Sequence, residues 1–223
     1  MKTVSGSRTQ VALIDLSAIS DNAAVLSRRG GGRELIADLR ADAYGHGLAE
    51  VAAAAIAGGA RVRAVDFEGQ TNLESKFLSA GTDLYGLHAD PELRPAMRVS
   101  AVVVGTKIIA AGEGVSYGHT WLAQTTTSIA LVGIGYADGL DRSAGNRATL
   151  SLGGSARPVI GRVAMNALVL DLGQDSAEVG DEVIVFGSPA LGEPAVWQFA
   201  QSLGRPSAEV VCGFGNHLAR VYR

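Results

Sequence analysis

The stretch Leu35-Ile-Ala-Asp-Leu-Arg40-Ala-Asp-Ala-Tyr44-Gly-His46-Gly47 holds the densest set of residues able to do chemistry. Arg40 is a guanidinium. It stays protonated in proteins and its nitrogens are delocalised, so it cannot form an imine. It can grip a phosphate or carboxylate through two parallel hydrogen bonds, or it can sit in a structural ion pair. Tyr44 either offers its phenol to a ligand or packs its ring and leaves the hydroxyl in water. His46 lies between glycines and reads as a turn residue. The four histidines, at 46, 88, 119 and 217, are scattered without metal-ligand spacing, so no metal is expected. The single cysteine, Cys212, excludes disulfides and cysteine-rich metal sites, and in Val210-Val-Cys-Gly-Phe it reads as a small buried residue.

These groups need a frame. Leu35 to Leu39 is a short apolar run of the kind that forms a buried strand. Leu48, Val51, Ala52, Ala55 and Ile56 then recur at helical spacing, and Gly58-Gly59 closes the helix. Strand, turn and helix make half of a βαβ unit. Ligands in such units sit at the carboxyl end of the strand, where Arg40 and Tyr44 lie. The glycine-rich turn at 44–47 would also suit an anion at the following helix N-terminus.

The rest of the chain divides in two. Residues 10–16 read as a strand, with Ser17 as the cap of an amphipathic helix over 18–29. A third strand is expected over Arg61–Asp66. The segment from Phe67 to Ala80 has neither period. Gly81-Thr-Asp-Leu-Tyr85-Gly-Leu-His reads as a strand leading to a linker marked by Pro91 and Pro95. Beyond residue 96 the pattern turns to β. Strands are expected at Val99–Ala111, Thr127–Tyr136, Arg147–Leu152, Val159–Leu172, Asp181–Gly187, Glu209–Gly213 and Leu218–Tyr222, with one short helix opened by Glu193-Pro194. The expected fold class is α/β plus β, with an α/β region at 1–88 and a β domain at 89–223.

The chain has 223 residues, of which 47% are hydrophobic and 18% charged, enough for a real core. A net charge of −3 argues against nucleic acid as a partner. No apolar run approaches the ~18 residues of a membrane span. The polar stretch Met1–Gln10 is too short for a signal peptide, and a cytoplasmic location is expected.

Arg40-Ala-Asp-Ala-Tyr44-Gly-His-Gly47 resembles the cofactor segment of the alanine racemase family. That family places at Arg40 the lysine that forms an aldimine with pyridoxal 5'-phosphate. Other motifs follow in the family's order: Ala12-Leu-Ile-Asp-Leu-Ser-Ala-Ile-Ser-Asp-Asn22, Gly81-Thr-Asp-Leu-Tyr-Gly-Leu87, Gly112-Glu-Gly-Val-Ser-Tyr117-Gly-His, Gly135-Tyr136-Ala-Asp-Gly139 with Arg142, Gly161-Arg162-Val-Ala-Met165-Asn166, and Arg220-Val-Tyr-Arg. The resemblance implies a pyridoxal-phosphate fold of type III, a barrel followed by a β domain. It assigns Tyr117 as the second catalytic base, given across a dimer interface; a phenol needs a nearby cation for that role, for which Arg162 is the candidate, and the residue reads equally as a strand-end tyrosine packing in the β domain. It assigns Tyr44, Gly81 and Thr82 to the cofactor, and Met165, Arg162, Tyr136 and Arg142 to the substrate and its entrance, although Tyr136 and Arg142 read equally as a solvated β-turn.

The departures are equally specific. A complete (β/α)8 barrel takes about 250 residues, and fewer than 90 precede the β part here. The expected barrel is therefore truncated, with its break near 66–80. The family's ring-nitrogen arginine aligns with Ser79, and a phosphate-contacting tyrosine with Ala208. Met165-Asn166 stands for the family's Met-Asp. Lys76 and Lys107 are not placed to restore an aldimine. The expectation is a family member with little or no racemase activity, interconversion of L- and D-alanine being the family reaction. Pyridoxal 5'-phosphate is expected by resemblance only, without covalent attachment. A homodimer is expected, and a small amino acid or anion as ligand. The alternative is a non-catalytic binding or regulatory module that dimerises or pairs with a full-length racemase.

Overall fold

The computed structural model describes residues 10–62, 77–215 and 217–223. The expected strand residues beyond Val62, most of the unpatterned segment, Lys76 and the polar start of the chain lie outside them.

The α/β part is small. Helix α1 (Leu16–Arg29) follows strand β1 (Gln10–Ile14), and its cap is Asp15, whose carboxylate accepts from the Ala18 amide at 3.1 Å. Ser17, expected as the cap, donates to that carboxylate instead at 2.6 Å. Arg28 and Arg29 lie in the last turn, where positive charge suits the helix dipole. Strand β2 (Glu34–Ala37) runs parallel between β3 (Arg61–Val62) and β4 (Phe77–Ser79). Helix α2 (Leu48–Ala57) is rich in alanine, the best helix former, and buries Val51 and Ala55. Asn22 of α1 is fully buried, and its side-chain amide pins two distant segments. Its nitrogen donates to the carbonyls of Leu84 and Arg94, and its oxygen accepts from the Arg94 amide.

The β part begins with β5 (Met97–Ile109). The short hairpin β6 (Gly114–Val115) and β7 (Trp121–Leu122) follows. Then come β8 (Thr127–Val132), β9 (Thr149–Leu152), β10 (Ser155–Ile160), β11 (Leu168–Gly173) and β12 (Glu182–Phe186). The chain finishes with helices α3 (Val196–Leu203) and α4 (Ser207–Phe214) and strand β13 (Ala219–Tyr222). The large sheet runs β12-β9-β10-β11-β8-β5-β1-β13, and β12 also pairs with β5, so part of it closes on itself. Val103 faces Val132 across β5 and β8, and Val11 of β1 sits between Ser100 of β5 and Ala219 of β13. Thus β1 belongs to the large sheet.

Three expected strands take other forms. The segment from Gly81 is a 3-10 helix over Gly81–Tyr85, begun by Gly81 at φ +48°, a left-handed conformation that ends β4. Glu209–Gly213 lies inside α4. Pro206 precedes its first turn, and Val210, Val211 and Phe214 face the core. A strand would alternate faces, whereas this helix turns Cys212 outward, so the expected burial of that thiol is also corrected. Val159–Leu172 is two strands, β10 and β11, because the chain reverses from Gly161 at φ +71°.

Candidate functional site

The turn between β2 and α2 is left-handed. Ala41, Asp42, Ala43 and Tyr44 all have φ between +52° and +55°, a run that side-chain sterics disfavour by roughly 1–2 kcal/mol per residue. Several bonds hold it. The Asp42 carboxylate accepts from the Leu48 amide at 2.8 Å and from the Arg220 guanidinium of β13. His46 is fully buried, and its Nδ1 lies 3.0 and 3.1 Å from the carbonyls of Ala43 and Tyr44. Carbonyls only accept, so Nδ1 carries the proton. Its Nε2 is buried and has no hydrogen-bond partner among the described residues. Burial depresses the imidazole pKa to about 4.

Within this turn Arg40 and Tyr44 meet on one acid. Arg40 donates from Nε to Asp38 Oδ1 at 2.8 Å and from Nη2 to Oδ2 at 2.6 Å. Tyr44 donates its hydroxyl to the same Oδ2 at 2.8 Å. Of the two roles open to Arg40, the structure therefore displays an ion pair. Asp38 is buried, while the Arg40 side chain is half exposed. Desolvation raises the Asp38 pKa, but the donors from Arg40 and Tyr44 outweigh it and leave the carboxyl below its usual range. Burial is the main cause that raises the Tyr44 phenol, followed by its bond to Asp38. The Gly81–Tyr85 segment joins the cluster through Tyr85, whose ring lies 5.0 Å from that of Tyr44 and 4.6 Å from that of His46. Gly81 and Thr82 themselves open the 3-10 helix, half-buried, and the Thr82 carbonyl accepts from Leu87.

A second group lies in the β part. Tyr117 is exposed on a turn that begins with Ser116 at φ +62°. The Ser116 hydroxyl donates to the Arg162 carbonyl at 3.0 Å, and the Arg162 guanidinium lies beside Gly118. Asn146 ties these turns together, accepting from the Gly161 amide at 2.6 Å and donating to Thr120 Oγ1 at 3.1 Å. The Arg142 guanidinium lies 5.4 Å from the centre of the Tyr136 ring, within cation–π range. Met165 is exposed, and its carbonyl accepts from the Ala137 amide at 2.9 Å. So Tyr117 with Arg162, and Tyr136 with Arg142 and Met165, form neighbouring turns. Among the described residues no hydrogen bond links them to Arg40 or Tyr44. Helix α4 touches both regions: a Cβ on Gly45 would lie 2.7 Å from Gly215 Cα, and one on Gly139 would lie 2.0 Å from the Gly213 carbonyl.

The family model described as alanine racemase, N-terminal domain, matches residues 14–99, and that of the alanine racemase C-terminal domain matches residues 96–222. The chain belongs to the alanine racemase family. Curated relatives include alanine racemases of Mycobacterium avium, 45% identical over 150 residues, and Thermobifida fusca, 42% identical over 132 residues. The first match covers 64% of this chain and 39% of the relative, the second 59% and 35%, so the chain matches about two fifths of their length or less. The solved alanine racemase of D-cycloserine-producing Streptomyces lavendulae shares the fold, with a TM-score of 0.87 and 23% identity over 98% of each chain. That of Bartonella henselae, with covalently bound pyridoxal phosphate, has a TM-score of 0.81 and 17% identity over 97% of this chain and 100% of its own.

The residues present do not fit covalent pyridoxal phosphate. Arg40, which the motif resemblance sets against the family's lysine, has its guanidinium engaged by Asp38. Tyr44 also gives its hydroxyl to Asp38. Ser79, which the resemblance sets against the family's ring-nitrogen arginine, is exposed at the end of β4, and Ala208, set against a phosphate-contacting tyrosine, has no hydroxyl. The residue that the sequence reading passed over is Asp38. Its signal was there: a lone acid inside the apolar run Leu35–Leu39, two positions before Arg40.

Proposed function

We propose that this chain is an alanine racemase-family protein with little or no racemase activity. One observation carries the reading: the position that must supply a neutral amine holds Arg40, bound bidentately to Asp38. A protonated, delocalised guanidinium has no lone pair for imine formation. On this reading Tyr117 and Arg162, and the Tyr136, Arg142 and Met165 turns, are retained from the family's substrate side, and Gly81 and Thr82 from its cofactor side. The regions 1–88 and 89–223 remain our division of the chain, with β1 lent by the first to the sheet of the second. A cytoplasmic location and a small amino acid or anion as ligand belong to the same reading.

The test mixes the purified protein with pyridoxal phosphate and records the visible spectrum before and after borohydride. It then follows α-proton exchange of L-alanine in deuterated water. No violet aldimine band, no borohydride-fixed label on the peptide and no exchange are the expected results. A fixed label together with exchange overturns the reading.

A second reading is a non-catalytic module that dimerises or pairs with a full-length racemase. The exposure of Tyr117 and Met165, at 73% and 55%, favours it. Large apolar side chains held on ordered turns suit a protein surface better than water. Co-purification with a full-length racemase, lost in Tyr117→Ala, separates the two readings.

A further inference from the structure

Asp38 deserves a role of its own. It is 6% exposed and receives four hydrogen bonds, from the amide, Nε and Nη2 of Arg40 and from the hydroxyl of Tyr44. A planar fork and a phenol converging on two oxygens form the donor set that recruits a phosphate or a carboxylate. Here the carboxylate is part of the chain. It also clips together Arg40 and Tyr44, the residues at the two ends of the turn that contains the left-handed run. An anion arriving from solution would compete with a tethered one, whose effective concentration is in the millimolar range or above. It would also meet a like charge on entering.

We propose that Asp38 is a built-in anion that fills the anion position of the 38–47 turn. It closes that position to inorganic phosphate and to phosphorylated ligands, and it lets the left-handed turn keep its shape with no cofactor. The proposal rests on the reading that Arg40 performs no aldimine chemistry.

The experiment titrates inorganic phosphate into the full chain, without pyridoxal phosphate, and follows the Arg40 Nε–Hε resonance by NMR. In the unmodified chain that resonance is expected to stay in place, protected from solvent exchange, up to about 10 mM phosphate, a weak-binding regime. Asp38→Asn keeps the shape and removes the charge. It is expected to bind phosphate at least ~10-fold more tightly than the unmodified chain. Adding Arg40→Ala to that variant is expected to abolish the gain. Phosphate that moves Arg40 Nε–Hε in the unmodified chain overturns the proposal, as does equal binding by the unmodified chain and Asp38→Asn. Should Asp38→Asn fail to fold, the unmodified chain decides alone: Hε protection that survives phosphate supports the built-in anion, and its loss overturns it. An aldimine signal would sink the functional reading by a separate measurement, since this titration contains no cofactor.

Discussion

Tyr85 donates its hydroxyl to the backbone carbonyl of Asp38 at 2.6 Å, across 47 positions of sequence. The phenol is fully buried, so the bond has no water to replace it. It fastens the Gly81–Tyr85 segment to the end of β2 and so fixes the floor beneath Arg40 and Tyr44. Tyr85→Phe keeps the ring and strands the carbonyl. We expect a loss of about 1–3 kcal/mol, the cost of a buried unsatisfied group. Urea unfolding of the two proteins measures it. Equal midpoints would mean that the carbonyl finds another donor.

His46 sets a pH dependence. Its pKa is depressed to about 4, chiefly by burial, against about 6.5 in an unfolded chain. The unfolded chain therefore binds the extra proton first as pH falls. Stability is full above pH 6.5 and drains away as pH drops from there towards 4, by roughly 3 kcal/mol in all. Asp15, Asp38 and Asp42 also have lowered pKa values, but their contributions are lost only at lower pH, around and below the ordinary carboxylate value of 3.8. The window from 6.5 to 4 therefore isolates the histidine among these buried or paired groups. Denaturation midpoints at pH 7 and pH 5 should differ in the unmodified protein and converge in His46→Asn. A His46→Asn protein that keeps the full slope would assign it to another residue.

Arg40→Lys alone should not restore racemisation. The new ammonium would lie beside the Asp38 carboxylate, which favours its charged, unreactive form. By the proposed correspondence, Ser79 would still stand for the ring-nitrogen arginine and Ala208 for the phosphate-contacting tyrosine. Small misplacements at a reacting centre cost on the order of 100-fold in rate, and such losses act together, so one repair recovers little. Exchange of the alanine α-proton at about 1 per second or faster, the range of ordinary enzymes, would show that these positions are not the obstacle.

Assembly is a fourth expectation. Tyr117 and Met165 are exposed on the β part, and Ile108 and Leu131 are exposed on β5 and β8. We expect a homodimer that covers part of this surface. Sedimentation that finds a stable monomer at micromolar concentration would contradict it.

Much of the frame was legible in the sequence, because period and punctuation agree there. The run at 35–39 and the helix closed by Gly58-Gly59 follow from apolar spacing. So does β5, where buried and half-exposed residues alternate over Met97–Val103. Reading failed where long-range packing outvoted local preference. Val210 and Val211 favour strands in isolation, yet they lie on a helix packed against the 40–45 turn and α3. Ala41 to Tyr44 contains no glycine, so no residue type within it announces a left-handed run; the bonds that hold it come from Asp38, His46, Leu48 and Arg220 around it. Of the site, Arg40 and Tyr44 could be found by motif. Their shared partner Asp38 could be found only by asking why a charge interrupts an apolar run.

The pairing of β1 with both β5 and β13 has a historical consequence. One sheet is assembled from strands on either side of the α/β part, which makes that part a guest held at both ends by its host. A guest can lose material from its middle while its two attachment points stay where they were. Closing a shorter connection also costs no more chain entropy than closing a longer one. The host sheet would scarcely register the change. This arrangement fits a chain whose residues 96–222 match the family's C-terminal domain while the α/β part held between β1 and β5 is brief.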